Sequence, residues 1–316
     1  MPTHGDPGRA APRRWQPEAV DREARGVRAV DYEREGLAFH ATRGRTTDTA
    51  GYEAPIRREM ADAPAGCLLD VGSGTGAWST VLAGWTQRTV VAIEPAAGMR
   101  AVATSPPGDT GDDGTVPDGT VPDGTLPNDT RPDGTRPDGT DSGSARAVGT
   151  GRFPVRVVAA RAGELPVRDD AGGAAWLSTV IHHVGDLDVC ARELRRALAP
   201  GAPVLIRSAF PGRYETIPVV RYFPGSRRAL DRLPSVEAVR DTFGRAGFGF
   251  VGIERVPERL IDLATWRSAL PRQRHADTAL VDLTDDEFAA GLRTLDEAIA
   301  AGHRPEQVAL DLIVLR

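Results

Sequence analysis

The segment 68–76 reads Leu-Leu-Asp-Val-Gly-Ser-Gly-Thr-Gly, and no other stretch constrains the fold as tightly. Apolar residues running into an acid and a valine mark the end of a buried parallel strand. Gly72, Gly74 and Gly76 follow at alternate positions, and an amphipathic run begins at Ala77. A strand that turns on glycines into a helix brings bare backbone against a ligand and aims free N–H groups at it. The spacing is G-x-G-x-G after an acid. It differs from the G-x-G-x-x-G that seats a dinucleotide pyrophosphate, and so separates two classes of cofactor.

The rest of the composition bounds the setting. With 40% hydrophobic residues in 316, the chain has material for a sizeable core. Its net charge of −5 gives no global basic field, so no nucleic-acid partner is expected. All 39 basic residues are arginine, a mark of a GC-rich genome rather than of chemistry. Cys67 and Cys190 sit beside apolar runs and read as buried thiols of a reducing compartment. No Cys/His cluster has metal-ligand spacing, so no metal is expected. The polar, Pro-rich stretch 1–17 reads as lacking a signal peptide, and no apolar run of ~18 residues is present to span a membrane. The expectation is a cytoplasmic protein with no membrane partner.

Along the chain, residues 1–28 have the composition of a disordered tail, and 29–316 are expected to form one domain. Weak helical periodicity over 29–62 (Tyr32, Leu37, Phe39, then Tyr52, Ile56, Met60) predicts two short cap helices. Strands are expected at 67–71, 89–93, 155–159, 174–181, 203–208, 248–255 and 308–315, with helices at 76–84, 95–104, 189–198 and 236–246. Strands alternating with helices predict an α/β fold: a doubly wound, mostly parallel seven-stranded sheet. The last two strands lack a simple crossover between them, which predicts an antiparallel edge strand.

The alternation breaks at 104–151. This insertion carries Val-Pro-Asp-Gly-Thr at 116–120 and 121–125, Leu-Pro-Asn-Asp-Thr at 126–130, and Arg-Pro-Asp-Gly-Thr at 131–135 and 136–140. Pro-Asp-Gly is a turn former, and apolar residues are too sparse to offset ordering entropy. The repeat reads as a disordered loop grown by duplication. Calcium binding is disfavoured, because each repeat offers one carboxylate and no EF-hand ligand set.

Glu94 closes the second strand, 18 residues after Gly76, where a carboxylate can accept both hydroxyls of a ribose. Asp70 to Gly76 together with Glu94 resemble the first two motifs of the class I S-adenosylmethionine-dependent methyltransferases. Further segments agree in order. Gly163-Glu164-Leu165-Pro166 resembles the segment after the third strand, and Leu177-Ser178-Thr179-Val180-Ile181-His182-His183 the fourth strand with the His-His end of the type 11, small-molecule branch. Glu193 to Gly201 and Ala246-Gly247-Phe248 resemble the next helix with its Pro-Gly turn and the entry to the sixth strand. The resemblance covers roughly 30–103 and 152–256, and more loosely the final strand.

The resemblance implies a Rossmann-like sheet, S-adenosyl-L-methionine as cofactor, and Asp70, Gly72, Ser73, Gly74, Gly76, Glu94, Pro95, Arg161, Ala162 and Ser178 around it. The glycine turn would pass under the methionine tail, and Asp70 would face its ammonium. Where the family often has an acid beside the adenine amine, this chain has Ala160-Arg161-Ala162, so backbone contacts would serve there. His183, and after it His182, are the candidates for a general base, since they follow the fourth strand at the carboxyl end of the sheet. The alternative for the pair is packing and loop capping.

The acceptor is expected to be a small molecule. Its cap is placed at 209–234, where Tyr214, Tyr222, Phe223 and Arg213 could wall a pocket; packing of the cap is the competing reading. Residues 257–304 add helices at 261–270 and 285–301, read as packing or as a homodimer surface. Two other functions compete with methyl transfer. A nicotinamide-dependent oxidoreductase would require the other glycine spacing and a lysine the chain lacks. A methyltransferase fold that has lost catalysis and only binds is opposed by the intact loop and Glu94.

Overall fold

The computed structural model describes residues 49–104, 146–148 and 153–316. The tail expected over 1–28, the first expected cap helix and the pentapeptide repeats lie outside the described residues.

A 3-10 turn, Ala50–Tyr52, leads into α1, Glu53–Met60, whose buried Ile56 and Met60 lie one turn apart behind Tyr52. Then follow β1 (Cys67–Val71), α2 (Ala77–Thr86), β2 (Val90–Ile93), α3 (Ala97–Ala103) and β3 (Arg146–Val148). The chain continues through β4 (Val155–Val158), β5 (Gly172–Ser178), α4 (Leu187–Ala197) and β6 (Val204–Ser208). The cap consists of α5 (Pro218–Tyr222), a 3-10 turn at Pro224–Ser226 and α6 (Arg227–Leu230). It is followed by α7 (Val236–Arg245), β7 (Phe250–Ile261), α8 (Leu263–Gln273), α9 (Asp285–Ala300) and β8 (Glu306–Leu315).

The helix ends are specified locally. Asp186, Ser235 and Thr284 each accept a backbone N–H in the first turn of α4, α7 and α9, and Thr284 completes a capping box with Glu287. Gly247, at φ +95°, ends α7.

The strands form one sheet in the order β3-β4-β2-β1-β5-β6-β8-β7. β4, β2, β1, β5 and β6 run parallel, as the helical crossovers require. Successive residues of β1 feed opposite layers: Leu68 packs with Tyr52, Trp78, Leu82 and Trp176, and Leu69 with Leu177, Cys190, Leu194 and Ile206. Both faces are therefore covered, α1 and α2 on one side and α4 and α7 on the other, which is why these strands read as near-continuous apolar runs.

The expected antiparallel strand is β8, and it lies between β6 and β7, antiparallel to both, so that β7 is the outermost strand. An eighth strand, β3, pairs antiparallel with β4 at the opposite edge and comes from the end of the insertion. The sixth strand, expected over 248–255, runs on to Ile261, because β8 begins at Glu306 and offers a partner along that whole length. The first helix of the 257–304 region accordingly starts at Leu263. Cys190 is buried, Cys67 half-buried, and both are free thiols.

Candidate functional site

The glycine loop is locked to the end of β2. The N–H groups of Gly72 and Ser73 both donate to the Ile93 carbonyl, at 2.8 and 3.0 Å, and Gly76 N–H closes the turn on the Ser73 carbonyl at 3.0 Å. Gly72, Gly74 and Gly76 have φ of +70°, +56° and +76°, the left-handed region that glycine enters without strain. Their further reasons differ. A Cβ on Gly72 would stand 2.2 Å from Val180 Cγ2, so this glycine lets the loop after β5 pack on the turn. A Cβ on Gly74 would meet no atom of the described residues within 4 Å, so bare backbone there faces space that those residues leave open. Gly76 is the N-cap of α2 and offers no side-chain cap, which leaves the first-turn N–H groups of that helix available to an anionic group.

Two acids frame this space. Asp70, 1% exposed, accepts a hydrogen bond from Ser79 Oγ at 2.5 Å. Burial pushes its carboxyl up to about 7; the Ser79 bond opposes that rise and the charge of Glu94 adds to it. Glu94, at the end of β2, accepts the N–H of Gly74 on Oε2 at 2.9 Å and that of Ala96 on Oε1 at 2.8 Å. The carboxylate thereby joins the glycine turn to the backbone that follows β2. Arg100 fastens the following turn, donating to the carbonyls of Glu94 and Pro95 at 2.8 and 2.6 Å. Ser73 Oγ is buried and has no hydrogen-bond partner among the described residues. A buried hydroxyl without a partner, open space over Gly74 and a carboxylate beside it fit a ligand with a carboxylate tail and a ribose.

The other expected cofactor residues stand around the same sheet end. Arg161 is exposed and its backbone forms an isolated antiparallel β-bridge with Glu164, while Ala162 is half-buried against the core. Leu165 N–H donates to Glu193 Oε1 at 2.8 Å, tying this turn to α4. β5 ends at Ser178 rather than 181, because Thr179 takes φ +50°. A β-branched residue there is strained, a feature that concentrates at functional sites. That turn brings Val180 onto Gly72 and presents His182 and His183, whose half-buried rings lie 4.0 Å apart between centroids.

The four expected pocket residues are dispersed. Tyr214 lines a cleft of about 340 Å³ with Ile217, Arg221, Arg227 and Glu306, and its hydroxyl donates to Asp231 at 2.5 Å. Tyr222 donates to Glu306 at 2.6 Å, and Phe223 stacks on Phe288 in the core between α5, α8 and α9. Arg213 grips buried Asp311 with two hydrogen bonds of 2.7 and 2.9 Å, fixing the cap to β8.

Arg207 and Glu258 are not among the expected site residues. Arg207, next to the end of β6, is 7% exposed and paired with Glu258 of β7, whose side chain is 6% exposed. The signal for Arg207 is a charge inside an otherwise apolar strand, which demands a partner. Glu258 has no local signal. Pro257 pairs with Ala309 and Arg259 with Val308, so Glu258 is the extra residue of a β-bulge, a device that re-aims side chains near sites.

The comparisons with known proteins agree with this geometry. A family model described as a methyltransferase domain matches residues 46–278, and the chain belongs to that family. It is an S-adenosylmethionine-dependent methyltransferase of class I. Among solved structures, a putative methyltransferase from an antibiotic biosynthesis pathway of Anabaena variabilis is similar at 16% identity and TM-score 0.56, covering 86% of this chain and 99% of that one. The YcgJ protein of Bacillus subtilis is similar at 16% identity and TM-score 0.47, covering 84% and 96%. The comparison with curated proteins finds no match. Among the described residues, no helix is long and apolar enough to cross a membrane.

Proposed function

We propose that the chain transfers the methyl group of S-adenosyl-L-methionine to an O, N or C nucleophile of a small molecule. The observation that carries this reading is the Glu94 carboxylate bonded to Gly74 N–H beneath the open face of the loop. Glu94 would take the ribose hydroxyls, and the uncapped start of α2 with Ser73 Oγ the carboxylate tail. Asp70, whose carboxyl lies near 7, would favour an ammonium close by, since a cation restores its charged form.

When bound, the cofactor supplies a methyl carbon on a positively charged sulfur. The protein's part is to position the acceptor in line with that methyl. Val180 locks the loop after β5 against Gly72, which fixes His182 and His183 relative to the cofactor seat. A neutral His183 imidazole would accept the acceptor's proton as the acceptor's nucleophilic atom takes the methyl, the electron pair of the methyl–sulfur bond passing to sulfur. The test is transfer of labelled methyl from the cofactor into a metabolite pool: a labelled small molecule is expected with the wild type and not with Gly74→Asp. Label confined to protein or nucleic acid would refute a small-molecule acceptor.

A further inference from the structure

The strongest cluster outside the cofactor seat is the buried pair Arg207–Glu258. Arg207 donates to Glu258 Oε1 through Nε at 2.8 Å and to Ser178 Oγ through Nη1 at 3.0 Å, and its Nη2 stands in ion-pair contact with the same Oε1 at 2.5 Å. Tyr52 O–H also donates to that Oε1, at 2.9 Å. The guanidinium lies over the rings of Tyr52 and Trp78, at 5.5 and 5.4 Å. Gly51 makes this possible: its Cα faces the Pro257 carbonyl so closely that a Cβ would stand 2.1 Å from the oxygen, and this seats the turn before α1 on the bulge. Burial drives the Tyr52 hydroxyl well above its ordinary range, so it stays a proton donor.

The bonding is lopsided. Glu258 Oε1 takes every donor, and Oε2 accepts none among the described residues. The Glu258 side chain keeps 6% of its surface exposed. Arg207 has five N–H donors and commits two of them to hydrogen bonds among the described residues, where the Ser178 hydroxyl receives one bond and gives none. A nearly buried carboxylate oxygen thus stands with unspent donors on the neighbouring groups. The position ties it to the reaction centre. Ser178 lies two residues before Val180, which packs on Gly72, and Trp78 two residues after Gly76.

We propose that Glu258, Arg207 and Ser178 form the acceptor-recognition subsite, and that they select a neutral group that both donates and accepts, namely a hydroxyl. Its O–H would donate to Glu258 Oε2, and its oxygen would accept from Arg207 or Ser178. A carboxylate would gain on Arg207 but be repelled by Glu258; an ammonium would meet the reverse. The pair is neutral as a unit, so any charged group entering it is left without net compensation in a desolvated place. This inference rests on the methyl-transfer reading for its location beside the cofactor.

Three probes of one shape and different charge test it: benzyl alcohol, benzoate and benzylamine, measured by ligand-observed NMR with and without S-adenosylhomocysteine. The wild type should prefer benzyl alcohol. Glu258→Gln uncovers Arg207 and should turn the preference to benzoate, with alcohol binding down about 10- to 100-fold, the worth of one bond to a charged group. Removing one partner of a buried pair can prevent folding, so the double variant Arg207→Met, Glu258→Leu is made as well; such apolar replacements commonly leave stability intact. It should lose the alcohol preference altogether. Wild-type preference for either charged probe, no binding of the alcohol, or alcohol binding unchanged in the double variant would overturn the proposal. Calorimetry with S-adenosylhomocysteine on the same proteins reads the cofactor seat separately: failure there in the wild type counts against methyl transfer, whereas loss only in the double variant would reassign the pair to the cofactor and overturn the subsite.

Discussion

The Glu94 carboxylate accepts the backbone N–H of Gly74 at 2.9 Å, joining the acid that ends β2 to the turn that follows β1. The two motifs are therefore one structural unit, and the acid shapes the loop that it helps to line. Replacing Glu94 by Gln leaves one oxygen where two N–H groups need acceptors. Affinity for S-adenosylhomocysteine should fall about 10- to 100-fold, the equivalent of one charge-assisted bond. Calorimetry on a variant whose circular dichroism is unchanged checks this; full affinity would mean that Glu94 does not bear on the ligand.

The glycines should separate by mechanism. Gly72→Ala places a methyl 2.2 Å from Val180 and also forces a left-handed alanine, so it should cost about 2–4 kcal/mol in denaturant unfolding. Gly74→Ala meets no atom of the described residues within 4 Å and is strained only by its φ, about 1 kcal/mol. Equal destabilisation by the two would contradict the contact assigned to Val180.

Asp70 gives a pH signature. Its carboxyl titrates near 7 in the folded chain against 3.8 when free, so the folded state holds that proton more tightly. The resulting stability is fully present below about pH 4 and is lost as pH rises through 7. Between pH 5 and 8 the wild type should lose on the order of 3 kcal/mol that Asp70→Asn does not lose. In addition, an ammonium bound beside Asp70 would expel the proton near pH 7, detectable by calorimetry in buffers of different ionisation enthalpy.

Arg213 should behave as a fastening of the cap. Asp311, 2% exposed, holds both Arg213 and Arg255, so Asp311→Ala strips two guanidiniums of their acid. Both arginines keep access to water, which limits the loss to about 1–3 kcal/mol. Thermal unfolding should show that loss for Asp311→Ala and a smaller one for Arg213→Ala, with affinity for S-adenosylhomocysteine unchanged. A fall in that affinity would place Arg213 in the cofactor site.

How far the sequence carries depends on whether a signal is local. The strands at 67–71 and 203–208 are legible because burial on both faces leaves a mainly apolar run bounded by turn residues, with the polar residues at its carboxyl end. The Asp70 to Gly76 turn is legible because its φ values admit little but glycine. The extension of β7 to Ile261 is not, since an edge strand takes its length from the partner β8, some fifty residues away. Glu258 is invisible for the same reason: a bulge is a mismatch between two strands, and neither strand's sequence alone contains it. Tyr222 and Phe223 show the opposite difficulty, because an aromatic wall of a pocket and an aromatic packed on Phe288 have the same one-dimensional pattern.

The central claim is that the open face over Gly74, edged by Glu94, is the seat of the methyl donor. Isothermal calorimetry of S-adenosylhomocysteine with the wild type and with Gly74→Asp tests it most directly. The account predicts binding to the wild type and none to a folded Gly74→Asp, whose new carboxylate would fill the open space and repel the ligand's own. Unchanged binding in that variant, or no binding to the wild type, would contradict it.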